Sequence, residues 1–231
     1  MKCAVVTGGT GALGEAVVER FLQDGWRVYA TWQSAASAER VRSRSRDAGD
    51  LRLHQVDLTD SISVDGFFQE VARSEPALDV LCNLAGGFET APVEETDPEV
   101  WDQMLALNAT SAFLSIRSAI PLLRLSDGGA IVNVASASAL DGTVPGMGAY
   151  LASKSAVISL TRSLAKELAP DGITVNAVAP TTIDTLANRK AMPDAGTHTW
   201  LTPEEIAGVI AFLTGPEARI MTGNVVALSK G

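Results

Sequence analysis

Cysteine is scarce in this chain. Cys3 and Cys82 are the only two in 231 residues, and both sit inside apolar, strand-like runs, so they read as small buried hydrophobes rather than a disulfide. Histidine is equally sparse: His54 and His198 stand apart, no cluster has ligand spacing, and no metal site is expected. No apolar run approaches the roughly 20 residues that cross a bilayer. Met1-Lys2 leads straight into a strand-like run, leaving no room for a secretory leader, so a cytoplasmic location is expected. Positive charge is short as well: 18 basic against 27 acidic residues give a net charge of -9, which argues against nucleic acid and anionic membrane as partners. Internal repeats, low-complexity linkers and a second domain are also absent. A small-molecule substrate is the partner class that remains.

The rest is rich in apolar residues, at 46% hydrophobic, enough for a substantial core in one domain spanning 1-231. Short apolar runs at 2-7, 27-32, 51-56, 78-83, 130-135, 173-178 and 224-228 read as strands, separated for the most part by helical patterns. That alternation predicts an α/β fold with a doubly wound, seven-stranded parallel sheet of Rossmann type and helices on both faces. One stretch differs in composition. Residues 181-203, rich in Thr, Asn, Pro and Gly, follow the sixth strand and precede a helix starting near Thr202, the place for a substrate lid.

Two motifs carry chemistry. Thr7-Gly-Gly-Thr-Gly-Ala-Leu-Gly14 lies between the first strand and a helical pattern from Ala12 to Gln23, the strand-turn-helix context of a dinucleotide fingerprint. Gly8 permits the tight turn, Gly11 and Gly14 allow close approach, and the helix start offers N-H groups to a pyrophosphate. Tyr150 and Lys154, in Tyr-Leu-Ala-Ser-Lys, are one helical turn apart, so the ammonium is expected beside the phenol. A free tyrosine titrates near pH 10; bringing it to about 7 takes roughly 4 kcal/mol, which that cation and a cationic nicotinamide can share. Such a tyrosine serves as general acid or base.

These residues resemble the short-chain dehydrogenases/reductases over nearly the whole chain. Asn83-Leu-Ala-Gly86 is similar to the family's Asn-Asn-Ala-Gly segment, Asn108 to the helix asparagine that holds a relay water, and Asp57 to the aspartate beside the adenine. Ser136, at the end of a strand, is similar to the serine that hydrogen-bonds the substrate oxygen. Its spacing to Tyr150 is one residue longer than usual and that of Ser138 one shorter, so Ser138 stays as the alternate and the Gly142-Thr-Val-Pro145 loop as the place for the extra residue. The resemblance implies a tetrad of Asn108, Ser136, Tyr150 and Lys154. It also implies a cofactor site comprising Gly8, Thr10, Gly11, Leu13, Asp57, Leu58, Asn83, Ala85, Gly86, Tyr150, Lys154, Pro180 and Thr182. It implies hydride transfer between nicotinamide and a carbonyl carbon, with Tyr150 exchanging the proton and Lys154 binding the ribose. Relatives of this kind pair through the helices at about 98-125 and 148-169, which implies a homodimer or homotetramer.

A narrower likeness, to dihydropteridine reductases, rests on Gly-Gly-Thr-Gly-Ala-Leu-Gly with Ala12, on Ala139-Leu-Asp-Gly-Thr-Val-Pro-Gly-Met147, and on Ile183 to Pro193 followed by Trp200 and Thr202-Pro203. It adds a quinonoid pterin to the candidate substrates, although those enzymes lack the serine and asparagine present here, and a full tetrad suits a carbonyl. Arg189 and Trp200 are the candidate substrate contacts on the lid. At the end of the second strand the chain reads Thr31-Trp-Gln-Ser34 with no acid to hold a ribose 2'-OH, so NADP(H) is preferred over NAD(H). Arg40, Arg42, Arg44 and Arg46 follow on a largely solvated face, Arg40 nearest the strand end. The glycine spacing at 8, 11 and 14 also fits nucleotide-sugar epimerases and dehydratases, but the chain stops after the last strand with no sugar-binding region. A non-catalytic cofactor sensor has no need of a poised tyrosine.

Overall fold

A computed structural model of the chain describes residues 1-45, 49-142 and 144-230. Strands β1 (Cys3–Thr7), β2 (Arg27–Trp32), β3 (Leu51–Gln55), β4 (Val80–Asn83), β5 (Ala130–Val134), β6 (Thr174–Pro180) and β7 (Val225–Leu228) form one parallel sheet in the order β3-β2-β1-β4-β5-β6-β7. The helices are α1 (Ala12–Gln23), α2 (Ala35–Arg44), α3 (Ser61–Ser74), α4 (Pro98–Met104), α5 (Ser111–Leu123), α6 (Ser138–Asp141), α7 (Gly148–Glu167), α8 (Leu186–Ala191) and α9 (Pro203–Leu213).

Two-residue periodicity divides the core. In β1, Cys3 and Val5 face α3, α5 and α7, while Ala4 and Val6 face α1 and α9. Strand order reverses between β1 and β4, so the carboxyl ends of these two strands open a crevice. Caps set the helix starts. Asp60 accepts from the Ile62 and Ser63 amides to open α3, and a Thr202–Glu205 capping box with Pro203 behind it opens α9.

The helix read from 98 to 125 is not one regular helix. Between α4 and α5 the backbone takes a π-helical turn at Leu105–Thr110, where the Ser111 amide bonds Ala106 rather than Leu107. The Ser111 hydroxyl donates to the Leu107 carbonyl, 2.6 Å away. Such turns recur at functional sites, and this one carries Asn108. Arg46 and Thr143, the latter within the 142-145 loop, lie outside the described residues.

Candidate active site

The site begins at the glycine turn. Gly8 has φ +65°, and a Cβ there would sit 2.9 Å from the Ala85 backbone. A Cβ on Gly14 would lie 2.1 Å from the Gly8 carbonyl oxygen, because α1 rests directly on the turn. Gly9, which the motif reading left unassigned, has the same constraint: its Cβ would meet that of Ala30 at 2.6 Å. Gly11 caps α1 without a side chain, so the first-turn amides are open to the cleft. Gly14→Ala is expected to push α1 off the turn, cost about 1-3 kcal/mol of stability and weaken dinucleotide binding more than tenfold; unaltered cofactor titration in a folded variant would count against this seating.

Side chains lock the turn to its neighbours. Thr31 Oγ1 accepts from the Gly8 amide at 3.0 Å, and Thr7 Oγ1 accepts from the Leu84 and Ala85 amides at 3.2 and 3.4 Å. Ser37 donates to Thr10 Oγ1 at 2.9 Å, and Arg40 bonds the Thr10 carbonyl at 3.0 Å while paired with Glu15. The result is a cleft of about 300 Å³ that brings together Gly8, Thr10, Gly11, Leu58, Ala85 and Gly86. Its far end is built from Trp32, Gln33, Ser34 and Ser37, all uncharged, together with Val56 and Thr59. Among the described residues the buried Trp32 indole N-H has no partner, an unsatisfied donor on a residue that lines the cleft. Glycines that a Cβ would fill, open helix amides and this orphan donor fit a dinucleotide.

Beyond Gly86 stands a corner formed by Lys154, Tyr150, Ser136 and Asn108. Lys154 is buried, and its ammonium donates to the Val134 carbonyl at 2.9 Å. Burial pulls its pKa down to about 8. The Tyr150 phenol is pushed above its ordinary pKa by burial, and a hydrogen bond with Ser136 opposes that rise. This differs from the expected lowering by Lys154. The ammonium is 6.0 Å from the ring centroid and held by Val134, so in the protein alone desolvation outweighs it. Ser136 is the serine that faces the phenol; Ser138 opens α6 two residues further on. Asn108 is buried, its Oδ1 accepting from the Gly87 amide at 3.2 Å and its Nδ2 donating to the Gly87 carbonyl at 3.1 Å. A Cβ on Gly86 would lie 2.5 Å from Asn108 Oδ1 and 3.3 Å from Lys154 Nζ, so these groups converge on one point of backbone.

Other expected residues take supporting places. Asn83 is buried below the cleft, donating to Asn133, which donates to Thr161 on α7, each at 2.9 Å. Asp57 is exposed in a neighbouring groove, and hydrogen bonds from the Thr59 hydroxyl and amide hold its carboxyl below the usual range. Leu13 packs into the core, and the Pro180 carbonyl accepts from Ala137 beside Ser136. In the 181-203 segment the Thr182 carbonyl accepts from the Leu201 amide, and an Ile183–Leu201 bridge closes its base. Trp200 is buried at that base. Arg189 forks onto Asp184 and faces a cavity it shares with Glu15 and Arg40, on the α1 side. Among the described residues no helix is long and apolar enough to cross a membrane, and no group of side chains could hold a metal ion.

Residues 9-231 match the family model described as Enoyl-(Acyl carrier protein) reductase. The chain is a short-chain dehydrogenase/reductase. A 3beta-hydroxysteroid dehydrogenase of Mediterraneibacter gnavus is 32% identical, covering 100% of this chain and 94% of that protein. The 3-oxoacyl-[acyl-carrier-protein] reductase FabG of Thermotoga maritima is also 32% identical, over 100% and 97%. A solved short-chain dehydrogenase/reductase from Serratia marcescens superposes with TM-score 0.90 at 33% identity, over 98% and 96%. As a short-chain dehydrogenase/reductase the chain is an NAD(P)-dependent oxidoreductase acting on hydroxyl or keto groups of small molecules. The narrower likeness to dihydropteridine reductases finds no support among these relatives, and neither does an epimerase or a cofactor sensor.

Proposed function

We propose that this oxidoreductase interconverts a carbonyl and an alcohol, with Tyr150 as general acid and base and NADP(H) as the preferred cofactor. The observation that carries the reading is the grouping of Ser136, Tyr150 and Lys154, with Lys154 against Gly86 of the glycine-lined cleft. When bound, the dinucleotide supplies or accepts the hydride. The open amides of α1 would hold its pyrophosphate, and Lys154 its nicotinamide ribose. Ser136 would hydrogen-bond the substrate oxygen, whose developing charge needs a fixed donor. Tyr150 then gives its phenolic proton to that oxygen and regains one through water. The Asn108 side chain is occupied by Gly87, which leaves the relay water to its main chain. The preference for NADP(H) rests on the far end of the cleft, where none of the described lining residues is a carboxylate that would repel a 2'-phosphate.

Further parts of the reading concern assembly and access. Residues 181-203 act as a lid hinged at the Ile183–Leu201 bridge, over one domain that works in the cytoplasm. The half-exposed Trp101 of α4 and Phe113 of α5 support pairing of two or four copies through these helices and α7. Oxidation of NADPH and NADH at 340 nm, with neutral ketones, aldehydes, oxo acids and quinonoid dihydropterin, tests the function. Carbonyl-dependent turnover with at least a tenfold lower KM for NADPH is expected. A lower KM for NADH reverses the cofactor assignment, and turnover of pterin alone reverses the substrate assignment.

A further inference from the structure

Phe88 is 60% exposed, yet its ring meets that of Tyr150 edge-on, with centroids 4.8 Å apart and planes at 85°. An apolar ring left in water beside the proton donor presents a surface for another ring. It is also held in place. The loop leaving β4 is pinned before Phe88 by the two Asn108–Gly87 hydrogen bonds and after it by the Ala91 amide donating to Gly146 at 2.9 Å. That second bond joins it to the segment carrying Met147, which packs with Tyr150 against one apolar cluster. Phe88 and Tyr150 thus form a rigid aromatic corner.

The two segments that lead into this corner carry charge of one sign. Residues 84-116, which leave β4 and enter α5, contain Glu89, Glu94, Glu95, Asp97, Glu99 and Asp102 and no lysine or arginine. Residues 125-153, which lead through Ser136 to Tyr150, hold no basic residue either. Lys154 is turned to the Val134 carbonyl, and Arg189 of the lid is forked onto Asp184 at 2.5 and 2.7 Å, facing α1. A carboxylate entering here would lose its water and meet Lys154 already committed to the Val134 carbonyl, between segments whose own charge is acidic.

Building on the carbonyl reading above, we infer that the substrate is a neutral carbonyl compound bearing a planar apolar ring, with Phe88 as the residue that selects the ring. Oxo acids and acidic carrier-bound acyl groups are disfavoured by the same surroundings.

Four 3-oxo compounds separate the two claims: ethyl benzoylacetate, benzoylacetate, ethyl acetoacetate and acetoacetate, assayed with NADPH and also titrated into the enzyme–NADP+ complex by calorimetry. Each ester is expected to exceed its acid at least about tenfold in kcat/KM. The phenyl ester is expected to exceed the methyl ester about tenfold, mainly in KM. In Phe88→Ala that ring preference falls to within about twofold, and Phe88→Leu, which keeps apolar bulk without the ring, loses most of it while still preferring esters. Acids handled as well as esters, or a ring preference that survives in Phe88→Ala, would overturn the inference. Reduction of all four without discrimination overturns it and leaves the carbonyl reading standing. Binding in the expected order without reduction keeps the selectivity and removes the carbonyl chemistry.

Discussion

Tyr150→Phe is expected to lower kcat by about 10³-fold, within the range attributed to a positioned proton donor, while NADPH affinity stays within about twofold. The substitution removes one oxygen and leaves the ring, so the contact with Phe88 and the placement of α7 persist. What is lost is the phenolic hydroxyl, the proposed proton source, and its hydrogen bond with Ser136. The fold is expected to change by no more than about 1 kcal/mol, the net worth of one hydrogen bond. Steady-state rates together with a fluorescence titration of NADPH provide the check. A kcat within tenfold of the parent enzyme removes Tyr150 from the chemistry, and a matching loss of affinity makes it a binding residue instead.

Lys154→Met is expected to move activity and stability in opposite directions. Turnover is expected to collapse, because the cation beside the phenol and the ribose is gone. Stability at pH 7 is expected to rise by roughly 1-3 kcal/mol, since a buried charge with few partners gives way to apolar volume. The folded-state pKa of about 8 lies below the ordinary 10.5, so burial works against the charged form. Between those two values the unfolded chain binds more protons than the folded one, and the stability of the parent enzyme rises with pH across that window. Below pH 8 both states are protonated and the penalty is fully present. Urea midpoints of both proteins at pH 7 and pH 10 test this: the gap in favour of the variant is expected at pH 7 and expected to narrow at pH 10. A variant less stable than its parent at pH 7 means that the Val134 hydrogen bond outweighs the desolvation.

Much of the fold was legible because its signals are local. Glycines at 8, 11 and 14 mark the first crossover, α1 spans the residues its apolar spacing indicated, and Thr202 caps α9 through its own side chain. The inner strands, buried on both faces, read as apolar runs, with β6 continuing to Pro180, whereas the edge strands β3 and β7 are only half-buried and β3 alternates apolar with polar residues. The π-helical turn was not legible, because Leu-Ala-Leu-Asn-Ala-Thr has ordinary helical composition and its register is set by Asn108 gripping Gly87 across the fold. For the same reason the sequence placed Lys154 beside the phenol but could not show the Val134 carbonyl, twenty residues away, that draws its ammonium. The roles of Gly9, the Thr31 hydroxyl and Ser37 were not legible because their constraints come from β2, α2 and the turn meeting in space. Arg189 reads as a substrate contact from its place in the 181-203 loop, whereas its partner Asp184 turns it toward α1.

Cys3 and Cys82 lie in the sheet's interior on opposite faces, each with its thiol pKa driven upward by burial, the first to about 12. Neither offers a thiolate to an electrophile under native conditions. The native enzyme is therefore a silent background for maleimide chemistry, and one cysteine engineered on the exposed helix α8 becomes a single address for a fluorophore or spin label that tests whether the 181-203 segment moves.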